Sequence, residues 1–176
     1  MRNACKYLIV MVLLSLFSCN GNKQDGQSVS VTKGDMKRSM ETANRYLLNE
    51  EEEDIANYIQ RHGLDMTSTG TGLRYQILKR GSDRKIEKGQ QLTLEYELHS
   101  VAGELLYSSK NDGLKSFVVG DGTVENGLDE AVTYMPYGDE AKVVIPYHLG
   151  YGLHGDDNRI PEYATLIYTI RILDNQ

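Results

Sequence analysis

The sequence predicts an α+β domain: an antiparallel β-sheet with one short helix on one of its faces, preceded by an N-terminal helical segment. Three observations carry this. Apolar residues alternate with a period of two in Leu73, Tyr75 and Ile77, in Leu92, Leu94, Tyr96 and Leu98, and in Leu166, Tyr168, Ile170 and Ile172. Among those runs one short helical pattern occurs, with Val124, Leu128, Ala131 and Val132 at i, i+4, i+7 and i+8. Ahead of them, Met36, Met40, Ala43 and Leu47 recur at helical spacing. With 176 residues, 40% of them hydrophobic and 25% charged, the chain is long enough for one domain and an appendage.

In chain order, residues 1–18 read as a lipoprotein signal peptide. Arg2 and Lys6 make a positive n-region, and the apolar stretch from Leu8 to Phe17 is too short to span a bilayer core of about 30 Å as a helix. It ends in Leu16-Phe17-Ser18-Cys19, which resembles a bacterial lipobox and implies cleavage before Cys19 and lipidation of that thiol. Residues 19–34 follow as the lipidated Cys and a flexible tether rich in Gly, Asn, Gln and Ser. The expected location is the bacterial cell envelope, with the protein lipid-anchored to the outer membrane and facing the periplasm or the exterior.

Residues 35–71 form the helical segment. Asn49, with Glu52 three residues on, looks like the capping box of a second helix, whose positive end would accommodate the acidic run Glu50 to Asp54. Ile55, Tyr58, Ile59 and His62 form its buried face, and Gly63 suits the C′ position. Dimerisation through these helices is compatible with the pattern. Met66 to Gly72 reads as a small-residue connection, and residues 72–176 make up the sheet domain. Within it, Gly103 marks a turn and Val143-Val144-Ile145 is a short apolar strand ending at Pro146.

Charge and composition exclude several functions. The chain holds 19 Lys and Arg against 25 Asp and Glu, a net charge of −6, and has no basic run to neutralise phosphates, so nucleic acid is not an expected partner. Removal of Arg2 and Lys6 with the signal leaves 17 basic residues against 25 acidic ones, or −8, so contact with a membrane would run through acyl chains rather than a basic patch. Two cysteines cannot build a disulfide framework or a cysteine-based zinc cluster. The four histidines, His62, His99, His148 and His154, follow no ligand spacing, and no metal or cofactor is expected. Ser108-Ser109 has no base nearby in sequence, so a hydrolase, which would have to use His148 or His154, has little support.

The chain has twelve tyrosines, no tryptophan and two phenylalanines. Most of the tyrosines fill strand positions, yet a pocket of phenol rings with a few hydroxyl donors suits an apolar peptide segment.

The order of motifs resembles the FKBP-type peptidyl-prolyl isomerases. It runs through Leu94-Glu95-Tyr96, Gly103, Ser108-Ser109 and Phe117 to Gly120, then Val124, Gly127-Leu128 and Met135-Pro136-Tyr137-Gly138. Ala141 to Pro146, Leu149-Gly150-Tyr151-Gly152, Gly155, Ile160-Pro161 and Ala164 to Tyr168 complete it, over Gly72 to Leu173. The lipobox, the Glu-rich helix and the run from Thr71 to Ile77 are further similar to a lipoprotein branch that includes gliding-motility-associated isomerases.

The resemblance implies a curved sheet wrapped against the short helix, and rotation of X-Pro bonds in unfolded or mature proline-containing proteins, with no cofactor. It assigns the proline pocket to Tyr96, Leu106, Val124, Leu128, Ile160 and Tyr168, a hydroxyl donor to Tyr151, and a backbone N–H donor to Glu125. The chain departs from the family pattern at four positions. Leu128 stands where a tryptophan floor is usual, and Leu106-Tyr107 replaces a Phe-Asp pair, so that the usual carboxylate is lost. Glu125 replaces an isoleucine and should bring charge to the rim, and Lys115 takes an aromatic wall position. A non-catalytic peptide-binding or chaperone module of the same fold is the competing expectation.

Overall fold

The computed structural model describes residues 32–174, so the signal, Cys19 and most of the tether lie outside the described residues. The chain divides into two units, with the boundary between Met40 and Glu41.

In the first unit, Thr32 opens helix α1 (Lys33–His62). Its hydroxyl accepts from the Asp35 N–H (3.3 Å) and donates to the Asp35 carboxylate (2.6 Å), a capping arrangement at the true start of the helix. Met36 and Met40 are exposed.

In the second unit the helix passes through Asn49 without interruption, so the expected second N-cap there does not exist. The reason is cooperativity: Leu47-Leu48 and the glutamates are strong helix formers with no Gly or Pro among them, and extending a helix is easier than nucleating another. The acidic run therefore lies mid-helix and is met by individual partners. Glu51 Oε1 accepts from the Tyr147 N–H and the Thr165 hydroxyl, both at 2.7 Å, and Glu52 pairs with Arg74. Ile55 and Tyr58 are buried and Ile59 partly so, whereas His62 is exposed and stacks on Tyr58 at 4.1 Å. The helix ends as expected at Gly63 (φ +60°), where the Leu64 N–H closes on the Ile59 carbonyl at 3.1 Å.

Seven strands follow: β1 (Thr67–Ser68), β2 (Arg74–Lys79), β3 (Gln91–Ser100), β4 (Leu105–Ser108), β5 (Lys115–Val118), β6 (Glu140–Ile145) and β7 (Leu166–Ile172). Two short helices, α2 (Ser109–Asp112) and α3 (Asn126–Val132), and a 3-10 turn at Tyr147–Leu149 lie among them. The strand β1 falls inside the stretch expected to be only a connection. Every pairing is antiparallel, in the order β1-β2-β6-β7-β3-β4, with β5 also pairing β3. Val124 precedes α3 rather than belonging to it.

The α3 side of the sheet holds the main core, where Leu94, Tyr96, Leu98, Val143, Leu166, Tyr168 and Ile170 meet Leu128, Ala131 and Val132. Gly127 permits this packing, since a Cβ there would stand 2.3 Å from Ile145 Cγ2. On the opposite side Val144 and Ile167 pack with Ile55 and Tyr58 of α1 in a smaller cluster. That explains why Val143-Val144-Ile145 is apolar without alternation: the strand is covered on both faces.

Candidate functional site

The site grows from the α3 side of β3 and β7. In the β3–β7 register Leu98 opposes Tyr168 and Tyr96 opposes Ile170, so Tyr96 and Tyr168 are diagonal neighbours on one face. Their rings lie 6.0 Å apart, tilted by 49°. Lys115 enters from β5, Tyr107 from β4, and Glu125 caps α3. The loop after the 3-10 turn brings in Tyr151 and Asp156, with Gly155 (φ +69°) pressed against the Ile160 carbonyl where a side chain would collide.

The four phenols, Tyr96, Tyr107, Tyr151 and Tyr168, with Leu98, Asp112, Lys115 and Asp156, wall a cleft of about 390 Å³. A neighbouring cleft of about 480 Å³ contains Val124 and Glu125 and shares Lys115 and Tyr151 with the first, so those two side chains form the partition. Leu106, Leu128 and Ile160 are buried in the core rather than on the walls of either cleft. A further cleft of about 440 Å³ is rimmed by Glu50, Asp54, Glu104 and Glu162 and contains none of the predicted site residues.

The pocket wall is not purely apolar. The Glu125 side chain is 3% exposed and points inward, so its charge does not reach the rim as the sequence suggested. Its carboxylate accepts from the Tyr168 hydroxyl, and from Lys115 Nζ at 3.3 Å to each oxygen. Lys115 also donates to the Tyr168 oxygen at 3.2 Å, and sits 5.5 and 5.6 Å from the Tyr96 and Tyr168 ring centroids. The aromatic wall expected at this position is thus replaced by an ammonium lying near two rings. Among the described residues no hydrogen bond takes up the Glu125 backbone N–H.

At Tyr107 the sequence lacks the carboxylate that the resemblance implies. In the structure the Tyr107 hydroxyl donates to Asp156, which returns a carboxylate to the cleft from a different loop. Asp156 Oδ1 accepts from the Ile160 N–H at 2.7 Å and the Asn158 N–H at 3.0 Å. Burial pushes the Asp156 carboxyl up, but the hydrogen bonds it accepts from Tyr107, Ile160 and Asn158 outweigh this and hold it below the usual carboxylate range. Arg159 binds Asp112 at 2.9 Å and the Leu106 carbonyl at 3.0 Å, with its guanidinium 4.5 Å from the Tyr107 ring centroid. No motif in the sequence marks Asp112, Asp156 or Arg159 as a site residue. The substitution of Tyr for the family acid was a signal that an acid should be sought nearby.

All the phenols of the cleft are held protonated. Burial first, then the Glu125 charge, raises Tyr168 well above the ordinary phenol value. Burial raises Tyr151 strongly, reinforced by the Glu125 and Asp156 charges. Burial likewise raises Tyr96, and the hydrogen bond to Asp156 raises Tyr107. Among the described residues no group takes up the Tyr151 hydroxyl, which stands at the partition as a free donor. No His, Cys, Asp and Glu side chains of the described residues gather to hold a metal, and His148 Nε2 lies 3.1 Å from the Thr71 carbonyl oxygen.

The family model for FKBP-type peptidyl-prolyl cis-trans isomerases matches residues 82–173. The chain is 33% identical over 103 residues to an FK506-binding protein of Neisseria meningitidis, covering 58% of this chain and 94% of that one. It is 37% identical over 89 residues to human peptidyl-prolyl cis-trans isomerase FKBP9, covering 50% of this chain and only 16% of the relative. The crystal structure of AtFKBP13 superposes with a TM-score of 0.60 at 24% identity, covering 64% of this chain and 99% of that one, which is a likeness of fold.

Proposed function

The chain belongs to the FKBP-type peptidyl-prolyl cis-trans isomerase family, and from that premise we propose that its tyrosine-walled cleft accelerates rotation about X-Pro bonds in protein chains. The rotation breaks amide resonance against a barrier of about 18–20 kcal/mol, and makes or cleaves no bond. Catalysis then consists of holding the twisted amide better than the planar one. A twisted amide has lost charge separation, so the Tyr96 and Tyr168 rings suit it better than water does. Tyr151 donates to a flanking carbonyl and the Glu125 N–H to a neighbouring one. Lys115 and Glu125 hold Tyr168 in place from behind. Leu106, Val124, Leu128 and Ile160 back this surface or extend it.

The observation that carries the reading is the Tyr151 phenol, kept protonated and unengaged at the edge of an aromatic cleft. The test is cis/trans relaxation of a short X-Pro peptide. Relaxation should quicken in proportion to protein and weaken at least tenfold in Tyr151→Ala. Peptide binding without acceleration would favour the non-catalytic chaperone module instead, a reading that the charged Lys115–Glu125 pair in the pocket wall supports.

In the same reading Cys19 carries acyl chains and holds the protein at the outer membrane, where it assists the folding of extracytoplasmic proteins. The lipobox and the similarity to the gliding-motility-associated branch support this, and palmitate labelling abolished by Cys19→Ser is the check. Exposed Met36 and Met40 support pairing of two copies through the N-terminal helix, which sedimentation of the Met36→Glu/Met40→Glu variant tests.

A further inference from the structure

We propose that the cleft selects proline sites flanked by a basic residue, and that Asp156 is the residue that determines this preference. The inference rests on the isomerase-cleft reading above and concerns which chains that cleft prefers.

Asp112, Asp156 and Lys115 line the cleft, Glu125 lines its neighbour, and Arg159 lies against Asp112 and Tyr107, three carboxylates and two cations in all. Glu125 is neutralised by Lys115, which reaches both of its oxygens at 3.3 Å. Asp112 is neutralised by Arg159 at 2.9 Å. Arg159 is further committed to the Leu106 carbonyl and to the face of Tyr107, and is not free to turn toward Asp156. Asp156 accepts from the Tyr107 hydroxyl and from two backbone N–H groups, all of them neutral donors. One negative charge is therefore left on the wall. Hydrogen bonding keeps that carboxyl ionised at neutral pH.

Its position is what makes the charge selective. Asp156 lines the same cleft as Tyr151 and Tyr168, the groups that would hold the carbonyl and the proline ring. Successive Cα atoms are about 3.8 Å apart, so the side chain next to a proline seated there projects within reach of the Asp156 carboxylate. A charge at such a partly solvated rim shifts affinity by about three- to tenfold between a flanking cation and a flanking anion, and salt screens the effect. Apolar flanking residues gain nothing from Asp156 and fall between the two.

The test uses the full chain and two sets of proline peptides, one varying the residue before the proline and one the residue after it, each with Lys, Leu or Glu. Both kcat/KM and Kd are measured at low salt and at about 0.5 M salt, where the screening length is a few Å. The expected order in at least one set is Lys over Leu over Glu, about three- to tenfold from end to end, shrinking to within about twofold at high salt. Asp156→Asn keeps an acceptor for the Ile160 and Asn158 N–H groups and should flatten the order at low salt. A flat order in both sets for the wild type, or an order that survives in Asp156→Asn, overturns the proposal. Ordered binding with no acceleration of any peptide would sink the isomerase reading and leave the preference standing. No binding to any peptide overturns both.

Discussion

The two faces of strands β6 and β7 carry neighbouring residues of one sequence to opposite ends. Val143 and Tyr168 face the main core and the cleft, and Val144 and Ile167 face helix α1. Each face also engages a glutamate, half-buried Glu51 on one side and inward-pointing Glu125 on the other. Glu51 accepts from a backbone N–H and from Thr165, two neutral donors that do nothing but hold the segment 147–165 to the helix. Glu125 accepts from a tyrosine and a lysine that themselves wall a cleft. The difference lies in cover. The last two turns of α1 close their apolar cluster, whereas beside the seven-residue α3 a cleft remains, with Tyr96 9% exposed and Tyr168 fully buried in its wall. A binding site here is a core left incompletely covered.

Breaking the Glu125 side should have the largest effect on stability. Lys115→Met strands a carboxylate whose side chain is 3% exposed, and should cost about 2–4 kcal/mol by urea unfolding. The pair Lys115→Met/Glu125→Leu should recover most of that loss, because an apolar pair of similar volume needs no compensation. If the double variant is as unstable as the single one, the two residues are not coupled as described.

On the other face, Glu51→Ala leaves the Thr165 hydroxyl and the Tyr147 N–H without their acceptor and should cost about 1–3 kcal/mol. The relaxation rate per folded molecule should stay within about twofold of wild type, since the two hydrogen bonds lost on this face are worth little at the cleft. A larger loss of rate would show that the two faces are coupled.

A smaller effect, confined to activity, is expected from Tyr151→Phe. It removes one donor to the substrate and should lower kcat/KM by about tenfold, with unchanged unfolding.

The mildest expectation concerns pH. Tyr151 and Tyr168 have phenols raised above their unfolded value, so the stability they contribute is complete below the ordinary phenol range and declines as pH rises through it toward their folded values. Activity per folded molecule should accordingly stay level from pH 8 to about 10, near the pKa of an unperturbed phenol. A fall with an apparent pKa near that of free tyrosine would mean that the Tyr151 hydroxyl is solvated rather than held. Asp156 behaves oppositely: its carboxyl is lowered, so its contribution is present above the unfolded carboxylate pKa and is lost as pH falls through the folded one.

Much of this molecule could be read along the chain. The period-two runs located β2, β3 and β7, Gly63 marked the end of α1, and the ordered motifs brought Tyr96, Tyr151 and Tyr168 to one cleft. Local pattern went astray where two local signals competed. The capping signature at Asn49 lost to helix propagation, and the small residues after Met66 hid a two-residue strand, too short to show a period of its own, that pairs with Tyr75 and Arg74 across the loop 69–73.

By itself the sequence determined the sheet, its register-setting alternation and the phenol content of the site, because period and composition are properties of neighbours along the chain. Only the tertiary structure decided which carboxylates are neutralised. Lys115 meets Glu125 across ten residues, Arg159 meets Asp112 across 47, and Tyr107 meets Asp156 across 49, leaving Asp156 as the one with neutral partners. Coulomb energy depends on distance in space and on the surrounding dielectric, and neither is written in the spacing of residues along a chain.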